Sequence, residues 1–366
     1  MTSPPRVMFP IALDPRALLD YPSERERPVH VGVERVLLDC GILALERDEG
    51  EELRRAIHRL SPELKELWDR LIRGLDGMNR LDRTLLPTTV GELVETLGLT
   101  GHSATEVRLI IASESTVESC SADLESGTAT IGGTDVVVAS SIDKSTAVKA
   151  VAELGSFVPG TARQAIASAV LKPLAARSGN VTVLDPHLFD HVLGTARPRR
   201  VKSGNTWVER AADHVEWLVS ELSRAVPPGG TIELIGDYPS QRRNDGILLT
   251  KELARDEITR AIEQSLKNRS SPITVSFTAV QAPKADVKVS NRYLMFDCGV
   301  SYLVDHDFYR MGSVEIEGPE ELILSRLNTM QGRRARDRAG CPAASTRPAP
   351  SGRQPRWWRP ERAEKG

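Results

Sequence analysis

The stretch Lys288-Val289-Ser290-Asn291-Arg292-Tyr293-Leu294-Met295-Phe296-Asp297-Cys298-Gly299 carries the densest signal in the chain. Its apolar run suits a buried strand, and it delivers a guanidinium, Arg292, and a carboxylate, Asp297, to a polar site. Side chains alternate along a strand. Ser290, Arg292 and Leu294 therefore share one face, and Asn291, Tyr293 and Met295 take the other. The strand is predicted to end at about Phe296, with Gly299 supporting the turn. A buried, unpaired guanidinium is costly, so Arg292 needs a cleft or a carboxylate. Asp185, at the end of the apolar run Val181–Leu184, is the expected partner.

Outward from this stretch, strand and helix patterns alternate. Val181–Leu184, Thr231–Ile235 and Ile273–Val280 are β-branched and apolar. Trp207–Ala225 and Leu249–Lys267 read as amphipathic helices, and Arg197–Ser203 as a loop. Such alternation predicts a mostly parallel or mixed sheet covered by helices. Polar residues at the carboxyl ends of its strands line the site, which singles out Asp185, Asp237 and Asp297.

The N-terminal half reads as a second α/β domain. A strand is predicted over Val7–Leu13, followed by Asp14-Pro15 as a helix start. Val29–Asp39 is branched and apolar and is predicted as a strand. Glu49–Gly74 holds two helices, the second opened by Ser61-Pro62. A short helix over Glu92–Leu97, a strand over Val107–Ile111, a hairpin at Gly132-Gly133 and a helix over Thr161–Leu171 follow. The expected organisation is α/β throughout, with domains at 1–175 and 176–330.

After Met330 the composition turns to Pro, Arg, Ala, Ser and Gly. Such a segment buries too little apolar surface to offset its ordering entropy, so residues 331–366 are expected to be a disordered basic tail. From Gly332 onward it carries ten basic and three acidic residues, +7, so the net charge of -2 leaves -9 for the body. A basic tail suits nucleic acid better than that body does. Cys40, Cys120, Cys298 and Cys341 form no Cys-x-x-Cys pair, which argues against a cysteine-built zinc site. No apolar run is long enough to span a bilayer, and no leader pattern is evident, so a cytoplasmic chain is expected.

Around Lys288 the spacing resembles half of the phospholipase D motif, His-x-Lys-x-x-x-x-Asp. Ser290 stands in the His place, Arg292 in the Lys place and Asp297 in the Asp place. The resemblance extends from about Val181 to Val304, with Val183-Leu184-Asp185-Pro186-His187 similar to the first strand and exit loop. It implies a phospholipase D-like fold in which Arg292 grips phosphate bidentately. Lys288, Ser290, Asp297 and Asp185 would complete the ligand site. Serine without an adjacent base is a weak nucleophile, and none of the seven histidines has Lys or Arg two positions later. The implied role is a non-hydrolytic binding or regulatory module for a phosphate-bearing ligand or nucleic acid, without a cofactor. Paired chains, a homodimer, fit the same resemblance.

A second reading places chemistry in the N-terminal half. Asp14, Asp39, Glu114 and Glu118 lie near predicted strand or helix ends. Carboxylates gathered around Mg²⁺ or Mn²⁺ would make a nuclease site of the PIN type. His187 and His191, four apart, offer a weaker metal pair.

Overall fold

The structure, a computed structural model, describes residues 6–21, 23–45, 50–82, 86, 89–100, 106–120, 127–196, 199–203, 206–210, 213–238, 243–267, 272–281, 291–316 and 318–327. Lys288, Ser290 and the expected tail at 331–366 lie outside them. The chain is α/β, as its patterning predicts, and divides into compact units at Met1–Ala152 and Glu153–Ala344. That division precedes the expected boundary after residue 175. The difference arises because Ser156-Phe157 pairs with a strand of the second unit, and because the helical run 163–175 packs on a helix there.

Among its described residues unit 1 has six strands. They are β1 (Phe9–Leu13), β2 (Gly41–Ala44), β3 (Leu81–Asp82), β4 (Leu109–Ala112), β5 (Thr128–Ile131) and β6 (Thr134–Val138). Their order is β3-β2-β1-β4-β6-β5, parallel except for β5, which joins β6 as the expected hairpin. β1, β2 and β4 are buried along their whole lengths, because a parallel sheet is covered on both faces. Alternation then splits the core. Ile11, Leu43 and Ile111 pack with the helices Ser23–Cys40 and Pro62–Gly77. Ala12, Ala44 and Ile110 pack with the helix Val90–Thr100.

The predicted strand over Val29–Asp39 is instead the last part of the helix Ser23–Cys40. His30, Val33, Leu37 and Cys40 are all buried, and their spacing of three to four is helical. Its β-branched content alone suggested a strand. Arg80, fully buried, donates to the helix-end carbonyls of Leu37 (3.2 Å) and Leu38 (2.7 Å). Gly41 permits the direct passage into β2, since a Cβ there would lie 2.8 Å from the Leu37 Cα.

His30 gives unit 1 a pH dependence. Its Nδ1 accepts from Trp68 Nε1 at 2.8 Å inside the core, and burial pushes its pKa below 6.5 against a smaller opposing effect of the Leu18 backbone. The unfolded chain then binds the proton more readily, so stability falls as pH drops through about 6.5. Urea midpoints near pH 7.5 and pH 5.5 should show this fall, and His30→Gln should shrink it. An undiminished fall in His30→Gln would assign it to other groups.

Among its described residues unit 2 has nine strands. They are β7 (Ser156–Phe157), β8 (Asn180–Leu184), β9 (Arg199–Ser203), β10 (Thr206–Arg210), β11 (Thr231–Tyr238), β12 (Thr274–Gln281), β13 (Arg292–Phe296), β14 (Val300–Val304) and β15 (Leu322–Leu327). Seven form a mixed sheet, β12-β11-β8-β13-β14-β15-β7, in which β12, β11 and β8 are parallel and the rest antiparallel. The helices His214–Ala225 and Lys251–Leu266 make the two crossovers. The expected loop at Arg197–Ser203 and the start of the expected helix at Trp207 are instead a hairpin, β9 with β10, in which Val201 pairs Val208. Valine and tryptophan favour strands, which the helical reading of this stretch overlooked.

Candidate functional site

β8 lies between a parallel neighbour, β11, and an antiparallel one, β13. The exits of β8 and β11 and the start of β13 therefore meet at one edge of the sheet. Ile235 pairs Leu184, so Asp237 follows at the same edge as Asp185. Tyr293 pairs Leu184 from the antiparallel side, which brings the start of β13, and Arg292, to that edge. Arg292 pairs Val304 of β14, so Asp307, just after that strand, arrives there as well. Four strands thus deliver one guanidinium and several carboxylates to one crevice.

Asp185 is 1% exposed. Its carboxylate accepts the backbone N–H of His187 at 2.8 Å and of Phe308 at 3.0 Å. Arg292 Nε lies 3.4 Å from the same carboxylate, the pairing expected from the sequence. The Arg292 Nη2 also contacts the Asp307 carboxylate. Neither Arg292 Nε nor Asp307 Oδ1 has a hydrogen bond of good geometry, so these contacts are ionic pairings, not a closed bidentate fork. Burial pushes Asp185 up, opposed by the two N–H donors and by Arg292. The two N–H groups and Arg292 favour its ionised form, whereas burial and the Asp307 charge oppose it.

His187 sits at the rim, and its Nδ1 is 3.0 Å from Asp190 Oδ2. That hydrogen bond raises its pKa above 6.5, against partial burial, and the charges of Asp307 and Asp185 add to the rise. Burial also pushes Asp237 up; the His187 charge opposes this and Asp190 adds to it. This edge of the sheet therefore gathers Arg292 and His187, whose protonated form is favoured, with four carboxylates. His187 and His191 do not act together. His191 packs against the rings of His214 and Tyr309, with centroids 5.8 and 6.0 Å away.

No family model, curated protein or solved structure matches the chain.

Asp297 does not join Arg292. The strand ends at Phe296, and Gly299 takes the turn at φ 90°, as predicted. Because β13 runs antiparallel to β8, its far end meets the amino end of β8, where the Asp297 N–H donates to Asn180 O at 3.1 Å. Asp185 and Arg292 lie at the opposite edge. The motif spacing places Arg292 and Asp297 one strand length apart, and the acid partners of Arg292 come from Asp185 and Asp307 instead. The structural partner Asp307 was missed by sequence reasoning. Its signal was Asp305-His306-Asp307 directly after the apolar run Val300–Val304.

In unit 1 the four expected metal ligands do not converge. Asp39 is exposed near the carboxyl end of the helix Ser23–Cys40, paired with Arg35 at 3.7 Å. That position is the amino end of β2, whereas Asp14 follows the carboxyl end of β1, and β1 and β2 are parallel. Asp14 is buried and its carboxylate is taken by Arg16, through the backbone N–H at 2.9 Å and the guanidinium at 3.1 and 3.2 Å. Glu114 and Glu118 are exposed on the helix Glu114–Cys120, and the Glu114 N–H donates to Asp20 at 3.0 Å. Among the described residues no group of three or more His, Cys, Asp or Glu is placed to hold a metal ion. No helix among the described residues is long and apolar enough to cross a membrane.

Proposed function

We propose that unit 2 is a non-hydrolytic binding module for a phosphate-bearing ligand, with nucleic acid as one such ligand. The observation that carries this reading is the Arg292 guanidinium in the crevice at the carboxyl end of β8, held between Asp185 and Asp307 without a closed fork. Asp185 is anchored by two backbone N–H groups, whereas Asp307 belongs to the loop after β14. An incoming phosphate takes the place of Asp307 on the guanidinium, and protonated His187 supplies a second positive group. Hydrolysis of the phospholipase D type needs a second histidine acting as acid, and the described crevice pairs its one rim histidine with Asp190.

The acid excess makes the binding pH-dependent. The raised pKa of His187 keeps its positive charge to higher pH, and the raised pKa of Asp237 brings in its neutral form at higher pH than for an ordinary carboxyl. Both shifts favour an anion. Calorimetry with a single-stranded oligonucleotide, whose phosphodiesters do not titrate in this range, should give affinity that strengthens from about pH 8 to about pH 6. Arg292→Lys should weaken it about tenfold while the fold persists, since lysine keeps the charge but loses the planar fork. Affinity that is level across this range, or unchanged in Arg292→Lys, would overturn the reading.

A further inference from the structure

The outer strands of the two main sheets differ sharply in length. β3 and β7 have two residues each and β5 has four, but β12 has eight. Short outer strands are one way in which proteins limit edge-to-edge pairing. β12 also lacks charge, proline and a bulge: its sequence is Thr-Val-Ser-Phe-Thr-Ala-Val-Gln, and it pairs with β11 over eight consecutive positions. Among the described residues nothing pairs with its outer side.

The direction of its free backbone groups follows from one hydrogen bond. The Thr274 N–H donates to Gly230 O, on the β11 side. Backbone groups alternate along a strand, so Thr274, Ser276 and Thr278 face β11, and Val275, Phe277 and Ala279 present N–H and C=O groups outward. Val275 and Phe277 are half-buried, whereas the side chains of Ser276 and Thr278 are exposed. Phe277 meets Phe189 edge-on, at 6.2 Å between ring centroids, which fixes one side of the strand on the core.

We infer that β12 is a dimer interface that pairs antiparallel with β12 of a second copy of this chain, extending the sheet across a two-fold axis. The charge pattern selects this occupant. A two-fold axis sets the strand against itself, and like charges opposite one another are destabilising. Eight uncharged residues place none there. An acidic or basic peptide finds no counter-charge along the strand.

The test uses the full chain. Sedimentation over a concentration series should show a dimer that dissociates on dilution. Ser276→Lys with Thr278→Lys places four lysines around the axis at exposed positions and should leave a monomer with unchanged circular dichroism. Hydrogen exchange reads the geometry directly and needs no variant. The N–H groups of Val275 and Phe277 should be protected in the wild-type dimer and exchange quickly in the double variant, while those of Thr274, Ser276 and Thr278 stay protected in both. A wild-type monomer overturns the proposal, even with protected outward amides, since a segment of the same chain then covers the edge. A dimer that survives the double substitution, or one whose Val275 and Phe277 amides exchange freely, forms elsewhere and overturns it as well.

Discussion

Asp185→Ala is expected to destabilise unit 2 by about 3 kcal/mol. The carboxylate is 1% exposed and joins three parts of the unit. It receives the N–H of His187 from the loop after β8, the N–H of Phe308 from the segment after β14, and the ionic contact of Arg292 from the start of β13. Truncation leaves two buried N–H donors without an acceptor, and each such group costs about 1–3 kcal/mol. The Arg292 loss adds less, because that side chain is 19% exposed and keeps Asp307. Asp185→Asn retains one good acceptor but points an NH₂ at a donor, so about half of the loss is expected. Urea unfolding followed by a probe in unit 2 measures both. A loss below about 1 kcal/mol for Asp185→Ala would mean that the loops close over the site without this carboxylate.

The same geometry shows what the residues alone made legible. The partnership of Arg292 with Asp185 followed from two elementary statements. A buried guanidinium needs a carboxylate, and polar residues at the carboxyl ends of strands line the site. The end of β13 at Phe296 and the turn at Gly299 were equally legible, because an apolar run followed by Asp and Gly has few other uses. The placing of Asp297 was not legible. Its position depends on β13 running antiparallel to β8, and strand direction is decided by tertiary pairing, not by the local pattern. Asp307 and His187 are brought in by that pairing too, from about 120 positions apart in the chain. Asp39 failed for a local reason. The β-branched content of Val29–Asp39 outweighed a helical spacing of buried residues, and reading a strand there moved its acid to the wrong edge of the sheet. β9 and β10 were missed for the opposite reason, since Trp207 and Val208 also fit the start of the helical pattern that follows, and that pattern outweighed their strand preference.

Asp135→Ala is expected to cost unit 1 about 3 kcal/mol, through a helix start that Asp135 holds together with its local cap Ser145, whose Oγ accepts the Val148 N–H at 3.2 Å. Asp135 is on β6 and 3% exposed. Its Oδ2 accepts from the Ser145 hydroxyl at 2.8 Å, the Thr146 hydroxyl at 2.9 Å and the Ala147 N–H at 2.9 Å, all at the start of the helix Thr146–Glu153. Its Oδ1 accepts from Thr130 of β5 at 2.9 Å. One carboxylate therefore joins the antiparallel edge strand, its neighbour β6 and a helix N-terminus, where negative charge is favoured. Burial pushes its pKa up, but the hydrogen bonds outweigh this and hold it below 3.8. A folded-state pKa below the unfolded value gives stability that is present above about pH 4 and is lost as pH falls through the folded value. Asp135→Asn removes the charge and keeps the shape, so it should lower stability at neutral pH and flatten the acid limb of the profile. Urea midpoints from about pH 3 to about pH 7, read by a probe in unit 1, measure both effects. If Asp135→Asn loses stability at pH 7 yet keeps the full acid limb, that limb belongs to other carboxylates and Asp135 acts only as a neutral acceptor.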